Sequence, residues 1–172
     1  MEMAMSVLKR GQLDVLLWLH TTKNPPALEW ERACEQIAEL KSNSQGDISR
    51  IRSLVISDGG APNSTQRSRL FGDIFEHRAC KLSVVTPVLS NPIKRGVATA
   101  IGWLNPAFRA YEPVRWPEAL AHIDVADQIE GIWPGFEKLQ ATLPTIRTLE
   151  FIARAAGLKM PPGRASAAGN RG

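Results

Sequence analysis

The sequence predicts an α/β domain built on a mixed sheet, with a helical extension at its C-terminal end. Short runs rich in β-branched and aliphatic residues alternate with segments whose apolar residues recur at helical spacing. The first two runs are separated only by a glycine-containing turn, which predicts an antiparallel hairpin. Later runs are joined by helical segments, which predicts right-handed crossovers between parallel strands.

The first third of the chain predicts three strands and one helix. Residues 3–8 and 13–20 are apolar runs on either side of Gly11, and they form the hairpin. Residues 28–41 place apolar side chains at helical spacing, with glutamates on the outer face. Residues 51–57 form the third strand, whose nearly continuous apolar character predicts burial on both faces.

Helices and strands then alternate up to about residue 125. Residues 63–78 form the second helix, and residues 81–87 form a valine-rich strand. A third helix begins at Pro92, because proline suits the first helical position. Residues 108–111 are a short last strand, and a fourth helix begins at Trp116. The predicted order is β-β-α-β-α-β-α-β-α.

Residues 126–158 predict a helical extension to the domain of residues 1–125. A polar linker leads to Trp133-Pro134-Gly135, and two helical pieces follow, residues 136–142 and 144–156. They are separated because the residue before Pro144 leaves helical space. Their apolar stripe either packs on the domain's own sheet or docks on a second copy or another protein, which would allow a homodimer. The stripe consists of Phe136, Leu139, Leu143, Ile146, Leu149, Ile152 and Ala153. Trp133 is placed to anchor these helices or a partner.

The charge distribution argues against a nucleic-acid partner. The chain has a formal net charge of +4, but three of its 21 basic residues and none of its 17 acidic ones lie in residues 159–172. The rest therefore carries 18 basic and 17 acidic side chains, whereas a nucleic-acid-binding domain concentrates Lys and Arg on one folded face. The tail is rich in Gly, Ala and Arg, and we expect it to be disordered.

The two cysteines and the absence of a secretory signal predict a cytoplasmic protein. Cys34 falls on the apolar face of a helix and Cys80 precedes a strand, so both are expected to be small core residues. The apolar runs are too short to span a bilayer, so no membrane span is predicted.

The loop after the third strand is the predicted binding site. A strand that ends in a polar, glycine-containing loop before a helix is where α/β proteins commonly bind their ligands. The candidate partner- or ligand-binding residues are Ser57, Asp58, Gly59, Gly60, Asn63, Ser64 and Arg67. We expect the glycines to supply positive φ, Asn63 or Ser64 to cap the helix, and Arg67 to be able to bind an anion. Arg69 instead belongs to a solvated face, paired with Asp73 or Glu76.

Element order over residues 3–124 and three local segments resemble a known family. The segments are Ser57-Asp58-Gly59, Val84-Val85-Thr86, and Phe108-Arg109-Ala110-Tyr111 with the later Pro117-Glu118-Ala119-Leu120. The chain resembles the STAS domains of bacterial anti-sigma-factor antagonists, and more closely the STAS/Sec14-like branch of small bacterial proteins.

The resemblance implies a noncatalytic regulatory domain that binds another protein in signalling, through the loop and the following helix. In the family, a serine after the aspartate is phosphorylated by a partner kinase, which switches binding off. Here Gly59 and Gly60 stand where that serine is expected, after Asp58. Ser64 and Thr65 follow an apparent insertion and are the candidate phosphorylation sites.

No motif in the sequence nominates a catalytic residue, a cofactor or a metal. His20, His77 and His122 are scattered, without the spacing of a metal site. Two alternatives to the interaction domain stay open. A small-ligand carrier for a lipid or nucleotide, as related Sec14-like and STAS domains suggest, predicts an apolar pocket between sheet and helices. An enzyme of unrecognised type predicts a polar cleft near Asp58 with a perturbed acid or base.

Overall fold

A computed structural model of the chain describes residues 1–76, 80–91 and 107–160. Its strands form one sheet, in the order in which they occur along the chain. They are β1 (Met3–Arg10), β2 (Leu13–His20), β3 (Ile51–Ser57), β4 (Lys81–Val85) and β5 (Phe108–Tyr111). β1 is antiparallel to β2, and the remaining neighbours are parallel. The predicted α/β class with a mixed sheet is confirmed.

The helices of the described residues lie on both faces of this sheet. They are α1 (Ala27–Asn43), α2 (Ser64–Ser68), α3 (Trp116–His122), α4 (Ile129–Gln140) and α5 (Arg147–Ala156), with 3₁₀ turns at Pro87–Ser90 and Pro113–Arg115. α2 continues as a π-helical segment, Arg69–Ile74, so the predicted second helix differs in its winding. The predicted third helix, which begins at Pro92, lies outside the described residues.

One face of the sheet is covered by α3, α4 and α5. α4 contacts β1 and β2, α5 contacts β3, and α3 contacts β4 and β5. The strands contribute Leu17, Leu19, Leu54, Ile56 and Val85, all at most 2% exposed. The stripe predicted on the C-terminal helices is buried in the same core, so it packs on the chain's own sheet. A second copy could use this stripe only by displacing the core.

The opposite face is covered by α1 and by α2 with its π-helical segment. Alternate residues of β2, Leu16 and Trp18, pack there against Trp30, Cys34 and Ile37 of α1. The two cysteines are free and buried, and burial raises the pKa of Cys34 to about 11 and that of Cys80 to about 12. They are core residues, as predicted.

The predicted start of the first C-terminal helix at Phe136 is wrong, because α4 begins at Ile129 and runs through Pro134, whereas the predicted break before Pro144 is confirmed between α4 and α5. Pro134 lacks the N–H for one helical hydrogen bond. Burial compensates, since Trp133 and Phe136 on either side are 4% and 0% exposed. Trp133 also donates from Nε1 to Lys159 O at 2.9 Å, which ties the chain after α5 to this helix.

None of the helices in the described part of the chain combines the length and apolar character that a bilayer crossing requires. Over the same residues, no cluster of His, Cys, Asp and Glu side chains has the arrangement of a metal site.

Candidate functional site

A cavity of about 370 Å³ lies over the α1–α2 face of the sheet, from Leu82 and Phe108 near the starts of β4 and β5 to Ser57 and Thr86 at the carboxyl ends of β3 and β4. Its floor is a row of residues paired across the strands, which consists of Trp18, Val55, Val84 and Ala110. Its volume lies within the range of small-molecule pockets. In open α/β sheets, ligands bind at the carboxyl ends of the strands, and the part of the cavity next to Ser57 and Thr86 has this position.

The cavity wall is mainly apolar and aromatic. Trp30 of α1 and Phe71 of the π-helical segment face it, together with Leu70. The π-helical winding is visible in the Phe75 N–H, which donates to Leu70 O at 3.0 Å, five residues earlier. Such segments are rare and frequently occur at functional sites. Here the segment supplies two of the side chains that line the cavity.

The loop after β3 forms one corner of the cavity. Ser57 Oγ accepts a hydrogen bond from Gly59 N–H at 3.0 Å and donates to Gly60 O at 2.8 Å. Gly59 has φ +130°, which favours glycine as predicted. Gly60 does not have a positive φ, so that part of the prediction is wrong. A Cβ at Gly60 would lie 1.9 Å from Lys23 O, so glycine is required there by close packing of two backbones.

Asp58 holds the C-terminal helix and does not line the cavity. Its Oδ2 accepts from Arg147 N–H at 2.8 Å, and its Oδ1 accepts from Thr148 N–H at 2.8 Å and Thr148 Oγ1 at 2.7 Å. A carboxylate at this position satisfies N–H groups that α5 leaves without a partner in its first turn. The sequence did not reveal this role, because residues 58 and 148 are 90 positions apart.

Asn63 caps α2, as the sequence predicts. Its side chain accepts from Gln66 N–H at 2.9 Å, and Gln66 Oε1 accepts from Asn63 N–H at 2.9 Å, which is a capping box. Gln66 also donates to Pro25 O at 3.0 Å, and its carbonyl accepts from Trp30 Nε1 at 3.0 Å. The start of α2 is thereby fixed to α1 and to the chain that precedes it.

The two arginines of the second helix have different surroundings. Arg67 lines the cavity, half-buried, and donates from Nη1 to Pro62 O at 2.6 Å. Arg69 is exposed and pairs with Asp73, one of the two predicted partners, and with Glu31. Ser64 and Thr65 are exposed in the first turn of α2, and their phosphorylation stays a prediction.

His20 and Trp18 bring buried polar atoms to the cavity wall. Their rings stack with centroids 6.2 Å apart, and His20 Nδ1 and Trp18 Nε1 have no hydrogen-bond partner in the described structure. Burial lowers the pKa of His20 to about 4, so its imidazole is neutral at pH 7. Neither of these two side chains therefore places a charge on the cavity wall at pH 7.

The sequence analysis identified the part of the cavity formed by the loop after β3 and did not identify the rest of its lining. Ser57, Gly59, Gly60 and Arg67 line the cavity, whereas the aromatic residues of β2 and α1 were assigned only to the core. A signal was present, because β2 and β3 end in the polar residues His20 and Ser57, and Thr86 follows β4. Polar residues at the carboxyl ends of three parallel strands meet at one edge of a sheet.

No protein-family model matches the chain, and comparisons with curated proteins and with solved structures gave no match. The resemblance to STAS domains therefore stays a prediction. The interpretation of the site rests on its own geometry.

Proposed function

We propose that this protein is a noncatalytic binding domain that holds a small, largely apolar ligand in the cavity over the α1–α2 face of its sheet. The observation that supports this proposal is the cavity itself, lined by Trp18, Trp30 and Phe71 between sheet and helices. An apolar pocket is what the small-ligand alternative predicts. Because Cys34 and Cys80 are free and buried, we further propose a reducing compartment, the cytoplasm.

The solvent in the cavity favours an apolar occupant. Asn24 and Ala61 on the rim are exposed, so the cavity is open to water. Water in an apolar cavity has few partners, and an apolar ligand displaces it favourably.

The hydrogen bonds around Ser57 and Asp58 favour binding over catalysis. A serine nucleophile needs a base to accept its proton, but Ser57 Oγ donates to Gly60 O. His20 is the residue paired with Ser57 between β2 and β3, but the buried His20 Nδ1 does not bond to Ser57 Oγ. Both carboxylate oxygens of Asp58 accept hydrogen bonds from the start of α5. We therefore keep the enzyme only as a competing hypothesis.

A regulatory protein-interaction function is the second candidate, and one observation favours it. Asn63, Ser64 and Thr65 are exposed together in the first turn of α2, where a partner or a kinase could reach them. A phosphate there would lie near the helix N-terminus and Arg67. Under this function, mass spectrometry of the purified protein should show a phosphorylated fraction and no small ligand.

Titration with Nile red, a neutral apolar fluorophore, tests the proposed function. We expect saturable binding of one fluorophore per chain, accompanied by quenching of Trp18 and Trp30, which line the cavity. Val84→Trp should weaken binding by at least about tenfold, which is 1.4 kcal/mol, because the indole would occupy the floor of the cavity.

Val7→Trp is the matched control, because Val7 lies on the edge strand β1 and is 38% exposed. It should bind Nile red like the wild type. Absence of saturable binding to the wild type would contradict the proposal, as would equal binding by Val84→Trp and Val7→Trp proteins that are both folded.

A further inference from the structure

Arg67 is the one charged side chain among the described residues that line the cavity. No described carboxylate forms an ion pair with it. Arg69, by contrast, forms two ion pairs: its Nε lies 3.5 Å from Glu31 Oε2, and its Nη1 lies 3.4 Å from Asp73 Oδ2. Pro62 O accepts a hydrogen bond from the half-buried guanidinium of Arg67 but does not balance its charge. A bound anion would supply the missing counter-charge.

The orientation of Arg67 suits it to hold a ligand. Its Nη1 donates to Pro62 O at 2.6 Å, and Pro62 also lines the cavity. This bond fixes the guanidinium at the wall and uses one of its donors, so other N–H groups stay available. A guanidinium presents its donors as a planar fork that matches the two oxygens of a carboxylate.

We propose that Arg67 binds the carboxylate of an amphipathic ligand whose apolar body fills the cavity, which makes aliphatic monocarboxylic acids the ligand class. This inference rests on the proposed function and adds the polarity of the ligand and its direction in the site. The apolar end lies over Trp18, Val55 and Val84, and the charged end lies at Arg67.

The charges of the cavity favour a monocarboxylate over a phosphate ester. A phosphate monoester carries about −1.5 to −2 charges near neutral pH, which one guanidinium would balance only in part. A carboxylate carries one negative charge and matches one guanidinium. Among the described lining residues, only Arg67 is a cation.

Competition between Nile red and two ligands of equal chain length tests this inference. Decanoate and decanamide share the same alkyl chain, and only decanoate is charged. The measurement is made at pH 8, at low salt and below the micelle concentration. Decanoate should displace half of the Nile red at a concentration at least about tenfold lower than decanamide does, because only decanoate can form a charge-assisted hydrogen-bonded pair with Arg67. High salt should reduce the preference, because Arg67 is only half-buried.

Arg67→Gln should abolish the preference for decanoate and keep Nile red binding, which would also show that the cavity is intact. Arg69→Gln is the matched control on the same helix and should leave the preference unchanged. Arg67→Lys keeps the charge without the fork and should retain part of the preference.

Three results would overturn the inference. They are equal displacement by decanoate and decanamide, a preference that survives Arg67→Gln, and stronger displacement by decyl phosphate than by decanoate. Each leaves Nile red binding in place. Failure of the proposed function is distinguishable, because then Nile red itself does not bind saturably.

Discussion

The two faces of the sheet use neighbouring residues of the same strands for different purposes. On the face covered by α3, α4 and α5, Leu54, Ile56 and Val85 are at most 2% exposed. Val55 and Val84, which alternate with them, are only half-buried although they occupy central strands. Among the described residues both faces therefore hold a buried core, and the α1–α2 face also leaves a cavity over Val55 and Val84.

The loop after β3 connects the two faces. Ser57, Gly59 and Gly60 line the cavity, while Asp58 between them holds the start of α5 on the opposite face. Alternation of side chains along a strand and its continuation explains this division. Substitutions that compare the faces should therefore have unequal effects.

The largest difference is expected between two phenylalanines. Phe136→Ala on the packed face should lower the free energy of unfolding by about 3–5 kcal/mol, because Phe136 is fully buried. Phe71→Ala on the cavity face should cost only about 1 kcal/mol, since its ring already borders open space. Urea unfolding of both variants checks this, and equal costs would show that the two faces are packed alike.

Acidification should reveal the buried imidazole of the cavity face. The pKa of His20 is near 6.5 in the unfolded chain and about 4 in the folded one, so the unfolded chain binds more protons between these values. Stability should fall as the pH drops from 6.5 to 4 and level off below 4, with a total loss of about 3 kcal/mol.

Urea unfolding of the wild type and of His20→Phe at several pH values from 7.5 to about 4.5 isolates this effect. Carboxylates whose pKa is lowered, such as that of Asp124, become protonated only at lower pH. The variant should lack the decline. Parallel profiles of the two proteins would contradict the assignment to His20.

Asp58→Ala should loosen the connection between the faces. The substitution leaves donors at Arg147 and Thr148 without an acceptor, so we expect a cost of about 2 kcal/mol and faster amide hydrogen exchange in α5. Ser64→Ala in the first turn of α2 is the control and should stay within about 0.5 kcal/mol. Unchanged exchange in α5 would contradict the role of Asp58.

The smallest expected effect separates adjacent valines of β4. Val85→Leu should cost about 1 kcal/mol or more, because it overpacks a filled core. Val84→Leu should cost less than about 0.5 kcal/mol, because the added methylene enters the cavity. Urea unfolding of the two variants measures both costs. An equal or larger cost for Val84→Leu would show that the cavity face has no room for the added methylene.

Local patterns in the sequence were sufficient for most of the fold. Apolar runs around Gly11 identified the hairpin, and helical spacing identified α1. The wrong prediction of a helix start at Phe136, after Pro134, has a physical cause, because burial of Trp133 and Phe136 outweighs the lost hydrogen bond. Local propensity carries no information about that burial.

The candidate site was predictable only in part. The cap at Asn63 is a local feature, so the sequence revealed it. The bond between Asp58 and Thr148 and the close approach of Gly60 to Lys23 depend on distant segments meeting. The cavity depends on which volume stays unfilled, and no residue pattern along the chain encodes that directly.

Native mass spectrometry of the protein purified from the cells that produce it shows directly whether the cavity holds a ligand. We expect the wild type to carry a small noncovalently bound molecule, and Val84→Trp, whose indole would fill the cavity, to lack it. Val7→Trp should retain the molecule. A wild-type protein free of bound mass, or the same bound mass in the folded Val84→Trp protein, would contradict the assignment of the cavity as the functional site.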